Sequence, residues 1–449
     1  MRTIIAHRNI QKYLEKCGTE RKFSFGLVIG QPNIQNKDYV IHLAKNSDCN
    51  ETEQEIEVSE TTPEHNSSHI CFQSVDDLDS TSLSHQVMSL IKMIPGSFFV
   101  LGVFFVDDSD IYKNKEKTDK IMAILSDISQ LFRRNKYLYG TSTTMGSTKL
   151  IMFYNSATKS LDCKYYDPKD KNTLIPAECI FLDKLTEWIF FETNYELDEI
   201  FPIAESNEKL NIETHFTATL EAINLYVNNS KIFVQDEPVE DGIILENYLK
   251  KCQNKYDKTK GISASIFLTT TALDEKVLIE QFDGIIRYSG IIASRVWAHP
   301  KSSFKEIYDF IRTDIMRSMC SRIQVYCDGL IDPNASNDAV VINEPPRRVF
   351  FNKVDDNGIQ FCDYIFRGES PSVVTSQAKF ILDLEIETHN VNDAVEGYPD
   401  DDSFGISKIP NTSNRQSKYA KGYGQVMYIG IASAVIVLII SILLHFIFR

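Results

Sequence analysis

Residues 97–106 read SFFVLGVFFV, and every one of them except Ser97 and Gly102 is strongly apolar. The run has the length of a strand, and an acidic pair, Asp107-Asp108, ends it. A strand that is apolar on both of its alternating faces is buried on both. We therefore expect a central strand here, with the rest of the fold arranged around it.

Strand and helix patterns alternate on both sides of this run. The expected strands are 23–29, 39–44, 149–154, 164–166 and 188–197, and the expected helices are 3–17, 82–93 and 119–134. A polar turn, 30–38, joins the first two strands, and residues 46–68 read as a polar loop. Together these elements predict an α+β domain over residues 1–205.

A weak boundary at residues 204–210 (AESNEKL) precedes a second domain, residues 206–389. Its expected elements are a helix over 244–252, a strand over 263–269, a hairpin of 285–288 and 291–297 that turns at Ser289-Gly290, a helix over 303–323, a hairpin of 348–351 and 360–366, and a helix over 375–388. The helix over 303–323 has the strongest signal, because Ser303 and Glu306 have the spacing of a capping box. The fold class is therefore α+β, with two mixed α/β modules.

The last residues predict a membrane anchor. Val426 to Leu444 is a run of 19 residues without a charge, and about 20 apolar residues suffice for a helix to cross a hydrocarbon core. We expect residues 426–448 to be this transmembrane helix and residues 390–425 to be a disordered tether. The positions that define the anchor include Val426, Tyr428, Ile431, Val435, Leu438, Ile442 and Leu444. A buried core helix is the alternative, and the lack of a polar face counts against it.

Charges beside the apolar run predict its orientation. Only Arg449 follows the run, whereas four basic residues precede it, namely Lys408, Arg415, Lys418 and Lys421. Positively charged flanks stay on the cytosolic side of a membrane. The N-terminal residues 1–18 have no apolar stretch of the kind found in signal peptides. We therefore expect a cytosolic body that is held to a membrane by its tail.

Composition limits the classes of function. The 449 residues carry a formal net charge of −15, which argues against binding to nucleic acid and against a body that lies on anionic lipid. The nine cysteines are scattered and no two have CxxC spacing. Such cysteines fit reduced cytosolic thiols better than a disulfide framework or a zinc site.

Signals for catalysis are weak throughout the chain. There is no HxH, HExxH or GxSxG motif, and residues 140–149 resemble a Walker loop only in composition. His65 and His69 have metal-ligand spacing but stand in a polar stretch. Asp107-Asp108 follows a strand, where carboxylates can be catalytic, although the polar residues after it favour a turn. Arg347-Arg348 is compatible with a clamp for an acidic partner and equally with the positively charged start of a strand.

Several stretches resemble one known family. SFGLVIGQ (24–31) with KDYVIHLAKN (37–46), PGSFFVLGVFFV (95–106), EPPRRVFF (344–351) with FCDYIFRGES (361–370), and the C-terminal anchor are similar, in this order, to the odorant-response-abnormal protein 4 family. Its motif in the second half of the chain consists of Pro346, Arg347, Arg348, Val349, Phe350, Cys362, Asp363 and Tyr364.

The resemblance implies a function as well as a family. It implies a tail-anchored protein of the endoplasmic reticulum with no catalytic activity and no cofactor. It also implies that the chain binds and recruits the cysteine protease specific for the ubiquitin-fold modifier. Finally, it implies support for the folding or export of chemosensory G-protein-coupled receptors.

A remoter similarity concerns the first domain. GLVIG, followed by a strand, a helix and VLGVFF, resembles the MPN fold of the JAMM isopeptidases. Placing Gly102 on that family's glycine puts Phe105 and Asp107 where active members carry two zinc-binding histidines. Because a phenylalanine cannot bind zinc, such a domain would be free of metal and used for pairing with another domain of its kind.

The sequence therefore favours a non-catalytic adaptor. The alternative is a membrane-tethered isopeptidase or hydrolase of the MPN class, against which the missing HxH counts. A tail-anchored fusion protein of the SNARE type would need a heptad helix directly before the anchor. Residues 390–425 contain proline and glycine instead.

Overall fold

The structure is a computed structural model, and it describes residues 2–46, 72–140, 148–169, 173–204, 212–252, 261–268, 282–330, 345–352 and 358–396. All of these residues lie within one compact unit, residues 1–399.

The strands are β1 (Thr3–His7), β2 (Ser24–Ile34), β3 (Lys37–Lys45), β4 (Phe99–Asp107), β5 (Lys149–Asn155), β6 (Ser160–Tyr166), β7 (Leu174–Leu182), β8 (Ile189–Ala204), β9 (Lys231–Val234), β10 (Glu237–Pro238), β11 (Ile262–Phe267), β12 (Phe282–Ala298), β13 (Arg347–Asn352), β14 (Gln360–Ile365) and β15 (Val391–Asn392). The helices are α1 (Arg8–Glu20), α2 (Ser80–Met93), α3 (Lys115–Arg134), α4 (Lys136–Tyr139), α5 (Ile212–Asn229), α6 (Leu245–Lys251), α7 (Phe304–Leu330) and α8 (Ser372–Leu382). The protein is thus of mixed α/β class.

The first seven strands close into a barrel in the order β1-β3-β2-β4-β5-β6-β7. β1 closes it by pairing in parallel with both β3 and β7. Ile10, Leu14 and Cys17 of α1 pack against alternate residues of the barrel strands in one apolar cluster. The opposite face of β2 and β4 belongs to a larger cluster that includes α2, α3 and α7.

Most of the apolar run 97–106 lies in β4, and all residues of that strand are buried. Leu101 and Phe104 face the cluster around α1, whereas Val103 and Phe105 face the larger cluster. β4 pairs antiparallel with β2 and parallel with β5. The prediction of a central, doubly buried strand is therefore confirmed.

A second sheet has the order β10-β9-β11-β8-β12. β8 and β12 pair antiparallel from Ile189↔Ala298 to Ala204↔Phe282, which makes them the longest ladder in the described part of the chain. α7 packs against this ladder through buried residues such as Ile311 and Ile315. The capping box that was expected at its start is present, because Ser303 N donates to Glu306 Oε2 at 2.7 Å and Glu306 N donates to Ser303 Oγ at 3.3 Å.

A third, small sheet has the order β14-β13-β15. β13 and β14 pair antiparallel from Arg347↔Ile365 to Asn352↔Gln360, which confirms the closing hairpin. β15 pairs with β13 at Phe351↔Val391. The tether was expected to begin at residue 390, but residues 391–396 belong to the fold, because they add a strand to this sheet. The rest of the tether lies outside the described residues.

Three predictions about elements were wrong. The helix expected over 375–388 ends earlier, because α8 stops at Leu382 and Asp383 takes a left-handed conformation. The expected helix over 3–17 is a strand, β1, followed by α1, because the β-branched residues Thr3, Ile4 and Ile5 pair with β3 and β7. The expected hairpin at Ser289-Gly290 is one continuous strand, since Ser289 pairs with Asp198 and Gly290 with Leu197. Pairing with the long strand β8 keeps the chain extended at the Ser-Gly dipeptide, where a turn was expected.

The predicted boundary at residue 205 stays a prediction. Residues on both sides of it contribute to the same sheet, since β8 precedes it and β12 follows it. The resemblance of residues 1–205 to an MPN domain likewise stays a prediction.

Candidate functional site

The centre of the family motif is a buried ion pair between β13 and α7. Arg348 and Asp314 have no exposed side-chain surface, and the guanidinium binds the carboxylate in two places, Nη1 to Oδ2 at 2.8 Å and Nη2 to Oδ1 at 2.9 Å. Nη2 also lies 3.2 Å from Cys362 Sγ on β14. The guanidinium carbon lies 4.9 Å from the centre of the Phe350 ring. Three elements, β13, β14 and α7, thus converge on one charge pair.

Electrostatics keeps both members of this pair ionised. Burial alone would raise the pKa of Asp314, but the charge and donors of Arg348 hold that pKa below its ordinary value. Asp314 also accepts hydrogen bonds from Gly96 N at 2.6 Å and from Arg295 N at 3.2 Å. A Cβ on Gly96 would lie 2.4 Å from Asp314 Cα, so this contact requires a glycine. The carboxylate therefore joins α7, β12, β13 and the segment before β4.

A second buried arginine lies one turn further along α7. Arg317 donates to the backbone carbonyls of Ile94, Pro95 and Phe98 through Nη1, at 2.8–3.1 Å, and to Leu138 O through Nε at 2.8 Å. Burial lowers the pKa of this guanidinium to about 10. These bonds fix the turn between α2 and β4.

A third arginine ties the end of the described chain to the same network. Arg322 Nη2 lies 2.6 Å from both carboxylate oxygens of Glu396. Glu396 also accepts from Ala293 N at 2.8 Å and from Arg348 N at 2.9 Å. We call Asp314, Arg317, Arg322, Arg348 and Glu396 the arginine network.

The rest of the family motif surrounds this network. Pro346 O accepts from Arg322 Nη1 at 3.1 Å, and Arg347 Nη2 lies 3.1 Å from Asp393 Oδ2. Val349, Phe350, Cys362 and Tyr364 are buried. Arg347 and Arg348 therefore bind carboxylates of their own chain, and the arrangement organises the fold instead of presenting a clamp to a partner.

Asp363 carries the only carboxyl group of the motif, and one oxygen of that group has no hydrogen-bond partner. It is buried, Oδ1 accepts from Tyr364 N at 2.8 Å, and Oδ2 has no hydrogen-bond partner. Burial and the nearby Glu369 raise its pKa to about 7. Lys92, whose own pKa is lowered by burial, lies close enough to oppose this shift.

Sequence reasoning missed Asp314, Arg317 and Arg322. Residues 314–321 are buried without interruption, so this part of α7 is surrounded by protein. The signal was available, because charged residues at positions 314, 317 and 322 interrupt a helix whose apolar residues point in several directions. A buried charge needs a partner of opposite charge, and the motif arginines supply it for Asp314.

The residues that were aligned with the MPN zinc site lie at the end of β4. Phe105 is buried in the larger apolar cluster. Asp107 Oδ1 accepts from both Ser109 N and Ser109 Oγ at 2.9 Å, as expected for a turn. Gly102 lies where β4 and β5 approach closely, since a Cβ there would lie 1.8 Å from Leu150 O. Within the described ranges, no group of three or more His, Cys, Asp or Glu side chains could hold a metal ion.

Several predicted sites lie outside the described residues. They are the anchor positions from Val426 to Leu444, the flanking Lys408, Arg415, Lys418 and Lys421, and the pair His65 and His69. Among the helices that the structure does describe, none has the length and apolarity needed to span a bilayer.

Comparison with known proteins identifies relatives that match most or all of the chain. A protein from Drosophila melanogaster described as "Protein odr-4 homolog" is 33% identical, over 100% of this chain and 99% of the relative. Proteins with the same description from Xenopus laevis and Homo sapiens are each 21% identical, over 85% and 88% of this chain and 84% and 86% of their own lengths.

Among solved structures, the crystal structure of UfSP from C. elegans aligns with a TM-score of 0.42 and 10% identity, over 86% of this chain and 57% of that one. A score of this size does not establish a common fold. The family comparison is decisive by contrast, because the profile of the odorant response abnormal 4-like family matches residues 26–393. That range contains most of β2, the barrel strands β3–β7, the arginine network up to Arg348, and both halves of the family motif. The chain belongs to the odorant response abnormal 4-like family.

Proposed function

We propose that this protein is a non-catalytic adaptor, held in the endoplasmic-reticulum membrane by its C-terminal helix with its body in the cytosol. In this proposal it binds and localises the cysteine protease specific for the ubiquitin-fold modifier, and it supports the folding and trafficking of chemosensory G-protein-coupled receptors. Membership of the odorant response abnormal 4-like family carries the proposal. The apolar run of 19 residues near the C-terminus supports the membrane part of it.

The internal use of the motif side chains is consistent with an adaptor. Arg348 and Arg347 bind Asp314 and Asp393 of the same chain, so they stabilise a scaffold. Phe105 lies in the apolar core, where a zinc ligand would stand in the alternative, an isopeptidase of the MPN class. An adaptor needs only a stable body and a tether, because holding a partner at a membrane raises its effective concentration near membrane substrates.

The location of the protease tests the proposal. Cells that lack this protein receive either the full chain or a chain with Val435→Arg and Leu438→Arg, which place two charges in the expected span. A charge at the centre of a membrane helix costs about 2.5–3.5 kcal/mol for insertion. We expect the protease to be found with the membrane fraction when the unaltered chain is present, and not in cells that receive the arginine variant.

A conservative variant provides the control. Val435→Leu with Leu438→Val keeps the run apolar and should retain the protease at the membrane. Surface delivery of a chemosensory receptor is measured in the same cells and should follow the location of the protein. A protease whose distribution is the same with all three chains would contradict the adaptor function.

A further inference from the structure

The outer edge of β12 is covered along half of its length. The N–H groups of Ala293, Arg295 and Trp297 point away from β8 and donate to side chains of the same chain. Their acceptors are Glu396 Oε1 at 2.8 Å, Asp314 Oδ2 at 3.2 Å and Ser97 Oγ at 3.0 Å. Side chains thus occupy the places that a neighbouring strand would take.

The other half of this edge has no such cover. β12 keeps an unbroken register with β8 from Gly284 to Ala298, so the alternating residues Ile285, Arg287, Ser289 and Ile291 also direct their backbone groups away from β8. Within the described residues, β12 pairs with no strand other than β8, and these backbone groups have no hydrogen-bond partner. Native proteins usually cover such an edge, because it can pair with another strand.

Side chains beside the open edge form an exposed face. Ile285 is 56% exposed and Ile291 is 39% exposed. Ile200, on β8 opposite Arg287, is 56% exposed. Between these isoleucines, Arg287 Nη2 lies 3.1 Å from Asp198 Oδ1. The face therefore carries apolar residues on both sides of one ion pair.

We propose that the open edge of β12 pairs with the same edge of a second copy of this chain, in an antiparallel dimer with two-fold symmetry. With the axis beside Tyr288, Ile285 lies opposite Ile291 of the second copy and Arg287 lies opposite Ser289 of the second copy. In this register all four outward-facing residues form hydrogen-bonded pairs, each exchanging two bonds. The two sheets become one continuous sheet.

The side chains fit this register. Each isoleucine at 285 meets an isoleucine at 291, and apolar cross-strand pairs stabilise a sheet. Ser289 is small and pairs with Asp198 within its own chain, so Arg287 can reach across it to Asp198 of the second copy. The charged side chains that meet at this interface are therefore of opposite sign, although each chain carries a net charge of −15. On the opposite face, Gly290 lies opposite Ile286 of the second copy, and nothing lies within 4 Å of the place where a Cβ on Gly290 would stand.

Disulfide crosslinking of the full chain in detergent tests the register. In the double variant Ile285→Cys with Ile291→Cys, each new cysteine faces its counterpart across the axis at a Cα separation of about 5.5 Å, within the range that a disulfide bridges. Mild oxidation with copper phenanthroline should therefore yield a covalent dimer. The two single variants are matched controls, since a cysteine at 285 faces the isoleucine at 291 and has no thiol partner. A double variant that crosslinks no more than the single variants would overturn the proposal.

A second pair of variants tests the association itself. Ile285→Lys with Ile291→Lys places like charges opposite each other, and both positions are exposed, so folding should be unaffected. Light scattering of the full chain in detergent should give a dimer for the natural sequence and a monomer for the lysine variant, a weakening of at least about tenfold, or 1.4 kcal/mol. Val373→Lys, another exposed position, should leave the dimer intact. A monomeric natural chain, or a dimer that the lysines leave unchanged, would refute the proposal.

Discussion

The arginine network explains why a motif that is recognisable in the sequence contains two adjacent arginines. Arg348 pairs with a carboxylate that is fully buried, and Arg347 pairs with Asp393 near the end of the described chain. The sequence identified these motif residues but could not identify their partners, because Asp314 and Asp393 lie far from them along the chain. Long-range pairing of this kind is set by tertiary structure, and the local spacing of residues in the sequence does not reveal it.

Removal of Arg348 should destabilise the protein strongly. Arg348→Ala leaves Asp314 buried without its cation, and such a loss costs about 3–5 kcal/mol. Urea unfolding should therefore show a much lower midpoint for this variant. Arg8→Ala is the control, because it removes an exposed ion pair with Asp183, and exposed pairs contribute little. Similar midpoints for the two variants would show that the buried pair does not stabilise the fold.

Two buried titratable groups should give the stability of the protein opposite dependences on pH. The pKa of Asp363 is raised to about 7, so its contribution is full at low pH and is lost as the pH rises through 7. Burial and the nearby Lys301 lower the pKa of His299 to about 4, so stability is lost from this group as the pH falls from about 6.5 towards 4. Between pH 4 and 6.5 the free energy of unfolding therefore has two slopes against pH, one from each group, and they oppose each other.

Single substitutions should separate these slopes. In Asp363→Asn the His299 slope remains, and the free energy of unfolding should rise between pH 4.5 and 6.5. In His299→Gln the Asp363 slope remains, and the free energy of unfolding should fall between pH 4.5 and 7. Urea unfolding at several pH values measures both. Parallel curves for the two variants and the natural protein would contradict the assignment.

At the scale of elements, the sequence predicted most accurately where burial is complete. β4 and α7 were recognised because an apolar run and a capping box are local signals. The strand β12 was divided in error, because Ser289-Gly290 has the local chemistry of a turn. Its true conformation depends on the ladder with β8, which lies about 90 residues earlier in the chain. Residues typical of turns thus predicted a break in a strand that its long partner keeps continuous.

The close approach of β4 and β5 should make Gly102 intolerant of a side chain. A Cβ at this position would lie 1.8 Å from Leu150 O, so Gly102→Ala must separate the two strands or distort them. Overpacking of this kind typically costs about 1–3 kcal/mol. Gly242→Ala is a matched control, because no atom lies within 4 Å of its Cβ position. Thermal unfolding should show a lowered midpoint for Gly102→Ala alone, and equal midpoints would show that the barrel can relax at this point.

At the scale of the whole molecule, the described residues between 2 and 396 form a folded body, and its final strand, β15, adds to the third sheet. Glu396 fastens the end of this body to Arg322 and Ala293. A body secured in this way can be attached to a membrane by the residues that follow without a change in its own packing. Deletion of residues 426–449 should therefore leave a soluble body with an unchanged urea midpoint, and aggregation of the shortened protein would show that these residues support the fold.

The charge asymmetry around the apolar run predicts that the C-terminus reaches the lumen of the endoplasmic reticulum. An Asn-Gly-Thr sequon on a short extension after Arg449 should become glycosylated, and the same extension with Gln in place of Asn should not. The native sequon at Asn228 should stay unmodified, although Asn228 is exposed near the end of α5. Its Ser230 donates to Val227 O at 2.6 Å in the turn that ends α5. If the body lies in the cytosol, as proposed, this sequon does not meet the glycosylating enzyme. A gel shift that endoglycosidase reverses measures both sites. Sugar on Asn228 would contradict the predicted topology, because it would place the body on the lumenal side despite the four basic residues that precede the run.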